Sequence, residues 1–222
     1  MPRPALPCLY PDAALLAGGL VDLERVDPAR HTDDLWSSIG RDAALWSLIP
    51  PGPFADAEAF AAWLTDRANR PSAALYAIVD KTTGHAVGLF FLLNINPAMG
   101  VAEMGLVYGP ALARRTAGTE AFFLLAGYIL DTLGYRRLEW RCSPEHTASR
   151  RAAIRFGFTE EGLLRQTMWV KDRNWDTQLY AMLDREWPAV ASGLTAWLSP
   201  ENFRADGRQI TPLISPNRPS DL

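Results

Sequence analysis

The chain has 222 residues, 48% of them hydrophobic and 21% charged, which suits one sizeable α/β domain with a packed core and argues against extensive disorder. Its 22 Lys and Arg against 25 Asp and Glu leave a formal net charge of -3 with no long run of either sign, so neither nucleic acid nor an anionic membrane surface is an expected partner. Cys8 and Cys142 make no disulfide framework, and His31, His85 and His146 lack the spacing of a zinc set, so no metal is expected.

A proline-rich leader over residues 1–20 opens the chain. Its apolar run, "AALLAGGLV", follows Asp12, is too short to cross a bilayer and lacks a basic flank, so the expected location is cytoplasmic. "VDLERV" reads as the first strand. Asp27-Pro28 then supplies an N-cap and a first-turn proline for a helix running to about Ile39 and stopped by Gly40. "LWSLIPPGPF" reads as a loop. A second helix follows within "FADAEAFAAWLTDRAN", where Phe60, Trp63, Leu64 and Ala68 recur at helical spacing behind a cap at Asp56.

"AALYAIVD" and "HAVGLFFLLNI" read as an antiparallel hairpin joined by "KTTG", and "GVAEMGLVYG" as the next strand. The following helix carries Phe122, Leu125 and Ile129 on one face and places Gly134 just past its end. "RRLEWRC" is a strand, "TASRRAAIRF" a short helix ended by Gly157, and two further strands flank "KDRNW". A last helix lies in "DREWPAVASGLTAWL" despite Pro188, and residues 201–222 read as an extended tail.

"ARRTAGTEA", from Ala113 to Ala121, stands between the third strand of this set and its helix, where a chain can hold a phosphate. Only Gly118 is present in the turn, so it reads equally as a phosphate cradle or as a plain helix start.

The order of elements, with "AEMGLVYGPALARRTAGTEA", "ASRRAAIRFGFTEEGLLRQ" and "KDRNWDTQLYAML" in it, resembles the GNAT superfamily of acyl-CoA-dependent N-acyltransferases and, within it, the RimJ/RimL-type branch. The resemblance covers roughly Val21 to Trp187. It implies a mixed α/β single domain over residues 21–200, with a bent, mostly antiparallel sheet of about seven strands flanked by helices. It also implies acetyl transfer from acetyl-CoA, as cosubstrate, to a primary amine: a protein N-terminal amine, a lysine or a small molecule. A homodimer is carried as an expectation about partners. An idle CoA-binding domain of the same fold is the competing expectation.

The resemblance places Thr116 and Gly118 at the two glycine positions of the family's acyl-CoA loop, and it implies cofactor contacts from Val107, Tyr108, Arg114, Arg115, Thr116, Ala117, Gly118, Thr119 and His146. Glu103 stands where the family has a catalytic glutamate that serves as base for the incoming amine; as a strand residue it reads equally as solvent-facing. Glu160 and Glu161 are lesser candidates for that role. Ser149 matches a serine able to protonate the departing thiolate, or it simply serves the first turn of its helix. Two departures stand out: His146 replaces a common asparagine, and Ala153 replaces a tyrosine acid. Trp36, Trp46 and Phe54 suit either the acceptor pocket or the core. Arg165 suits an acceptor carboxylate or a salt bridge.

Overall fold

The computed structural model describes residues 5–214. Eight strands form one sheet: β1 (Leu15–Ala17), β2 (Val21–Arg25), β3 (Ala74–Asp80), β4 (Ala86–Asn96), β5 (Val101–Tyr108), β6 (Arg137–Cys142), β7 (Thr159–Val170) and β8 (Arg173–Leu183). Their order is β1-β2-β3-β4-β5-β6-β8-β7, and every pair is antiparallel except β5 with β6. The helices are α1 (Pro28–Leu35), α2 (Ala43–Trp46), α3 (Ala57–Ala68), α4 (Thr116–Gly127), α5 (Thr147–Arg155) and α6 (Trp187–Leu198); α1 and α4 each run on into a π-helical turn, Trp36–Gly40 and Tyr128–Thr132.

The continuous apolar reading of β3 has a simple origin: both of its faces are covered. Tyr76 and Ile78 enter a core built with α4, α5 and α6, while Leu75, Ala77 and Val79 enter a second core with α1 to α3. In the first, Phe122 of α4 stacks on Phe156 at 4.1 Å and 8°, and Trp187 and Val190 of α6 pack alongside. In the second, Trp46, Phe54, Phe60 and Trp63 meet at centroid distances of 5.0–6.3 Å.

Local signals set the helix ends. The Asp27, Asp42 and Asp56 carboxylates accept from the amides of Ala29, Ala44 and Ala59 at the starts of α1, α2 and α3. Pro188 falls in the first turn of α6, where a missing N–H costs nothing, so that helix forms with the proline as part of its start. Gly157 ends α5 at φ 95°, and a Cβ there would come within 2.6 Å of Val190.

The sheet has eight strands, one more than expected, because the leader supplies β1. Glu120 of α4 holds the turn between β1 and β2 by accepting from the amides of Gly19, Leu20 and Val21. The aromatic loop before α3 contains α2, a single turn started by Asp42. The tail also departs from the extended reading: a 3-10 turn at Pro200–Asn202 and a bridge from Phe203 to Gln209 fold it back, with Asn202 bonded to Trp197 and Thr211. Residues 1–4 of the leader and 215–222 of the tail lie outside the described residues.

At the tip of the β7–β8 hairpin, Lys171 and Asp172 form the two-residue loop at φ 52° and 54°. Lys171 donates to the carbonyls of Trp46, Ser47 and Ile49, which binds the hairpin to the end of α2. β7 is the outer edge of the sheet and leaves Leu163, Leu164 and Trp169 exposed.

Two outcomes follow for stability. Phe122→Ala removes a fully buried stacked ring and should lower the unfolding free energy by about 3–5 kcal/mol in a denaturant titration. His146 caps α5, its Nδ1 accepting from the Ser149 amide at 3.4 Å, and burial holds its pKa below the ordinary 6.5. The unfolded chain therefore takes up that proton first, so this contribution is whole above pH 6.5 and is lost as the pH falls below it. His146→Asn keeps a capping acceptor without the titration; its melting temperature should fall less than that of the parent between pH 7 and pH 5.

Candidate active site

β5 and β6 run side by side for four paired positions, Val101 to Met104 against Arg137 to Trp140, and then part. Beyond that point β5 continues along β4 as far as Tyr108, and β6 continues along β8 as far as Cys142. The β6-facing backbone groups of residues 105–108 are thus left without a strand partner, at the head of a wedge-shaped gap.

α4 begins at the mouth of this gap. It is the helix whose start lies on the cleft with no side chain capping it, so the first-turn amides are available to a bound group. Arg114 precedes it at φ 60°, a left-handed conformation that costs a non-glycine residue about 1 kcal/mol and turns the chain sharply into the helix. Gly118 is required for closeness: a Cβ there would lie 2.4 Å from the Leu112 carbonyl and 3.0 Å from the Tyr108 ring. Tyr108 is partly buried at this point and donates its hydroxyl to the Gly118 carbonyl at 2.7 Å, with desolvation pushing its pKa far up. It therefore locks β5 to α4 and does not supply a proton.

The resulting cleft encloses about 910 Å³. Of the residues expected at a cofactor, it brings together Val107, Tyr108, Arg114, Arg115, Thr116, Gly118, Thr119 and His146, and it adds Ser149. Ala117 is the exception, its methyl packing against the main core. The cleft wall carries four arginines, Arg114, Arg115, Arg151 and Arg155, and no Asp or Glu. In a chain of net charge -3 this is a concentrated anion-attracting surface.

Ser149 sits on the first turn of α5, where its Oγ accepts from the Trp140 indole at 3.0 Å. An oxygen that is already accepting from an N–H has its own proton free to donate, and the Cys142 sulfur beside it is one partner. His146 lies at the same wall but is spent on its helix cap, and its depressed pKa keeps the imidazole neutral.

Glu103 is not on the cleft wall. It lies on the strand face shared with Gly105 and Val107, at the last register position but one before the strands part. Its carboxylate accepts from Asn94 at 2.7 Å and pairs with Arg141 at 3.2 Å, in line with Glu139, Arg137 and Glu161. Burial raises its pKa, and Arg141 and Asn94 pull against that rise. It is thus neither solvent-facing nor free. Glu161 is committed to Arg137, and Glu160 is exposed on β7.

The acceptor-side expectations fare differently. Trp46 is fully buried, its indole donating to the Ile39 carbonyl at 2.8 Å, and Trp36 and Phe54 pack on Phe60. All three are core. Arg165 is exposed on the edge strand, away from the cleft. Instead, the residues of this region that line the cleft are Ala44, Leu45, Leu48 and Ile49, on and after α2. Sequence reading also passes over Trp140, Arg151, Arg155 and Trp197; the arginine at every fourth residue of "RRAAIR" is the one signal that these cations share a helix face.

Residues 22–159 match the family described as the acetyltransferase (GNAT) domain. A GCN5-related N-acetyltransferase from Brucella melitensis is 40% identical, with a TM-score of 0.89 over 94% of this chain and 96% of that one. The N-acetyltransferase p20 of Bacillus licheniformis, itself uncharacterized, is 30% identical over 124 residues, which are 56% of this chain and 67% of that protein. RimL, a ribosomal L7/L12 α-N-protein acetyltransferase, shares the fold at 18% identity, with a TM-score of 0.68 over 79% of this chain and 99% of that one. The parted parallel strands, the bare start of α4 and these matches agree: the chain belongs to the GNAT acetyltransferase family, whose members move an acetyl group from acetyl-CoA to an amine.

Proposed function

We propose that this protein transfers the acetyl group of acetyl-CoA to a primary amine, on a protein N-terminus, a lysine or a small molecule, and that it sits in the RimJ/RimL-type branch. The observation that carries the reading is the acid-free, arginine-lined cleft running from the bare start of α4 to the fork between β5 and β6. The motifs "GTEA" and "EGLLRQ" and the shared fold of RimL support the branch. A reducing, cytoplasmic location suits the two free thiols, Cys8 and Cys142. The working unit comprises residues 21–200 with the folded-back segment as far as Gln209, which the cleft includes.

In this reading the amides of the first turn of α4, with Arg114 and Arg115, hold the pyrophosphate. The thioester supplies an activated acyl group. A β5 backbone amide near Val107, unpaired on its β6 side, polarises the carbonyl oxygen. Glu103 takes a proton from the ammonium, directly or through water; the amine nitrogen bonds the carbonyl carbon, the C–S bond breaks, Ser149 delivers a proton to the thiolate, and the second proton, shed by the nitrogen as it becomes an amide, restores the Ser149 hydroxyl through water. Trp140 positions Ser149 by occupying one of its lone pairs.

The idle CoA-binding alternative draws on two observations: Glu103 is already bonded to Arg141 and Asn94, and Ala153, in place of the tyrosine acid, is fully buried. Free thiol release from acetyl-CoA over a panel of amines separates the two. The enzyme releases thiol above the protein-free control with at least one amine; release with none, despite measurable CoA binding, leaves the idle domain.

Glu103→Gln should lower kcat/KM by about a hundredfold or more. Arg141→Met provides the sharper check, because it removes the charge that opposes the raised pKa of Glu103. The acidic limb of the kcat/KM profile should then move to higher pH, and a limb that stays in place removes Glu103 as the base.

A further inference from the structure

The fourth cation of the cleft has no role in the chemistry above. Arg155 ends α5, six residues beyond Ser149 and so about 9 Å further along the helix axis. It lies 4.9 Å over the Trp197 ring and 5.4 Å from the Phe156 centroid, and one of its N–H groups donates to the Thr119 hydroxyl at 3.1 Å. Among the described residues it has no carboxylate partner. A guanidinium has five N–H donors in a rigid plane, so most of this fork is uncommitted and faces the cleft.

The wall around it is built. Trp197 is fixed by donating its indole N–H to Gln209 at 2.8 Å, and Phe203 meets the ring edge-on at 5.2 Å. Phe203, Gly207 and Gln209 then close this end of the cleft. These three and Trp197 all lie outside residues 22–159, the stretch that matches the family. Burial lowers the pKa of Arg155, which is the cost of keeping an uncompensated cation here.

The direction of a bound thioester follows from the two ends. With the pyrophosphate at the start of α4, the arm that carries the sulfur has to run toward Ser149 and the fork. The nucleotide then leaves toward Arg155. A CoA nucleotide bears a phosphomonoester of nearly two negative charges at neutral pH, and an arginine presented on an aromatic platform matches it with paired donors.

We propose that Arg155, seated on Trp197 and enclosed by the folded-back C-terminal segment, forms a phosphomonoester subsite that holds the 3′-phosphate of CoA. This rests on the reading of the cleft as a thioester site. The test is a titration of the full chain with CoA and with 3′-dephospho-CoA, which differ only in that phosphate, at low salt. The parent should bind CoA about tenfold more tightly, the worth of one charge-assisted pair. Arg155→Gln should reduce the ratio to about twofold with the affinity for 3′-dephospho-CoA held, and Arg155→Lys should restore part of it.

Equal binding of both ligands by the parent overturns the subsite, and that arm needs no variant to fold. Loss of affinity for both ligands in equal measure on Arg155→Gln also overturns it, since Arg155 would then serve the pyrophosphate. Binding of neither ligand by the parent sinks the reading of the cleft itself, an outcome distinct from the other two.

Discussion

The structure turns on the short life of one strand pairing. β5 and β6 are parallel neighbours for four positions and then follow different partners, β4 on one side and β8 on the other. Sheets do not leave backbone groups unpaired without compensation, because each buried orphan costs on the order of 1–3 kcal/mol. Here the compensation is a wedge open to solvent and ligand, kept open by elements that cannot collapse into it. Tyr108 locks the end of β5 to the first turn of α4, Trp140 ties β6 to α5, and Lys171 moors the β7–β8 hairpin to the end of α2. The cleft is the space these three ties hold apart.

Charge is then distributed to suit that opening. A chain with slightly more acids than bases places four arginines on the cleft and every nearby carboxylate elsewhere. The acids Glu103, Glu139 and Glu161 sit on the β5–β6–β7 strands beside Arg137 and Arg141, where they neutralise one another in a line of bonds from 2.6 to 3.2 Å. The arginines at the start of α4 gain from unpaired amides and the helix dipole only when an anion arrives, since cations at a helix start are otherwise unfavourable. In the proposed role Arg114 and Arg115 trade stability for recognition of an anion, and the left-handed backbone of Arg114 adds to that cost.

What the sequence made legible follows the reach of each signal. The caps at Asp27 and Asp56, the β3–β4 hairpin and the stop at Gly157 depend on residues a few positions apart, and they stand where local chemistry puts them. The single α/β domain with its mostly antiparallel sheet was legible through the family resemblance, because several weak motifs in one order constrain each other. β1 was not, since three residues form a strand only by pairing with β2 and by Glu120 holding the turn from a hundred residues away. The same is true of Trp46: its sequence neighbours line the cleft, yet its ring turns inward to Ile39 and the aromatic core. Arg155 and Trp197 meet through the packing of α5 against the return of the tail, and no spacing along the chain encodes that meeting.

The local alternation that made Glu103 look solvent-facing fails for a related reason. Alternation assigns a face, but it does not say what covers that face. Here Asn94 and Arg141 cover it, so the carboxylate is raised by burial and held down by a cation and an amide at once. A base for an alkyl ammonium has to be ionised near neutrality and yet not so stabilised that it will not accept a proton. Burial alone would leave Glu103 protonated too readily, and the arginine alone would make it too weak a base. The opposition of the two, placed where the parallel strands are about to part, suits this position to the base role proposed for it, and the role proposed for Ser149 follows the same logic: Trp140 fixes the oxygen and the hydroxyl proton remains to be given.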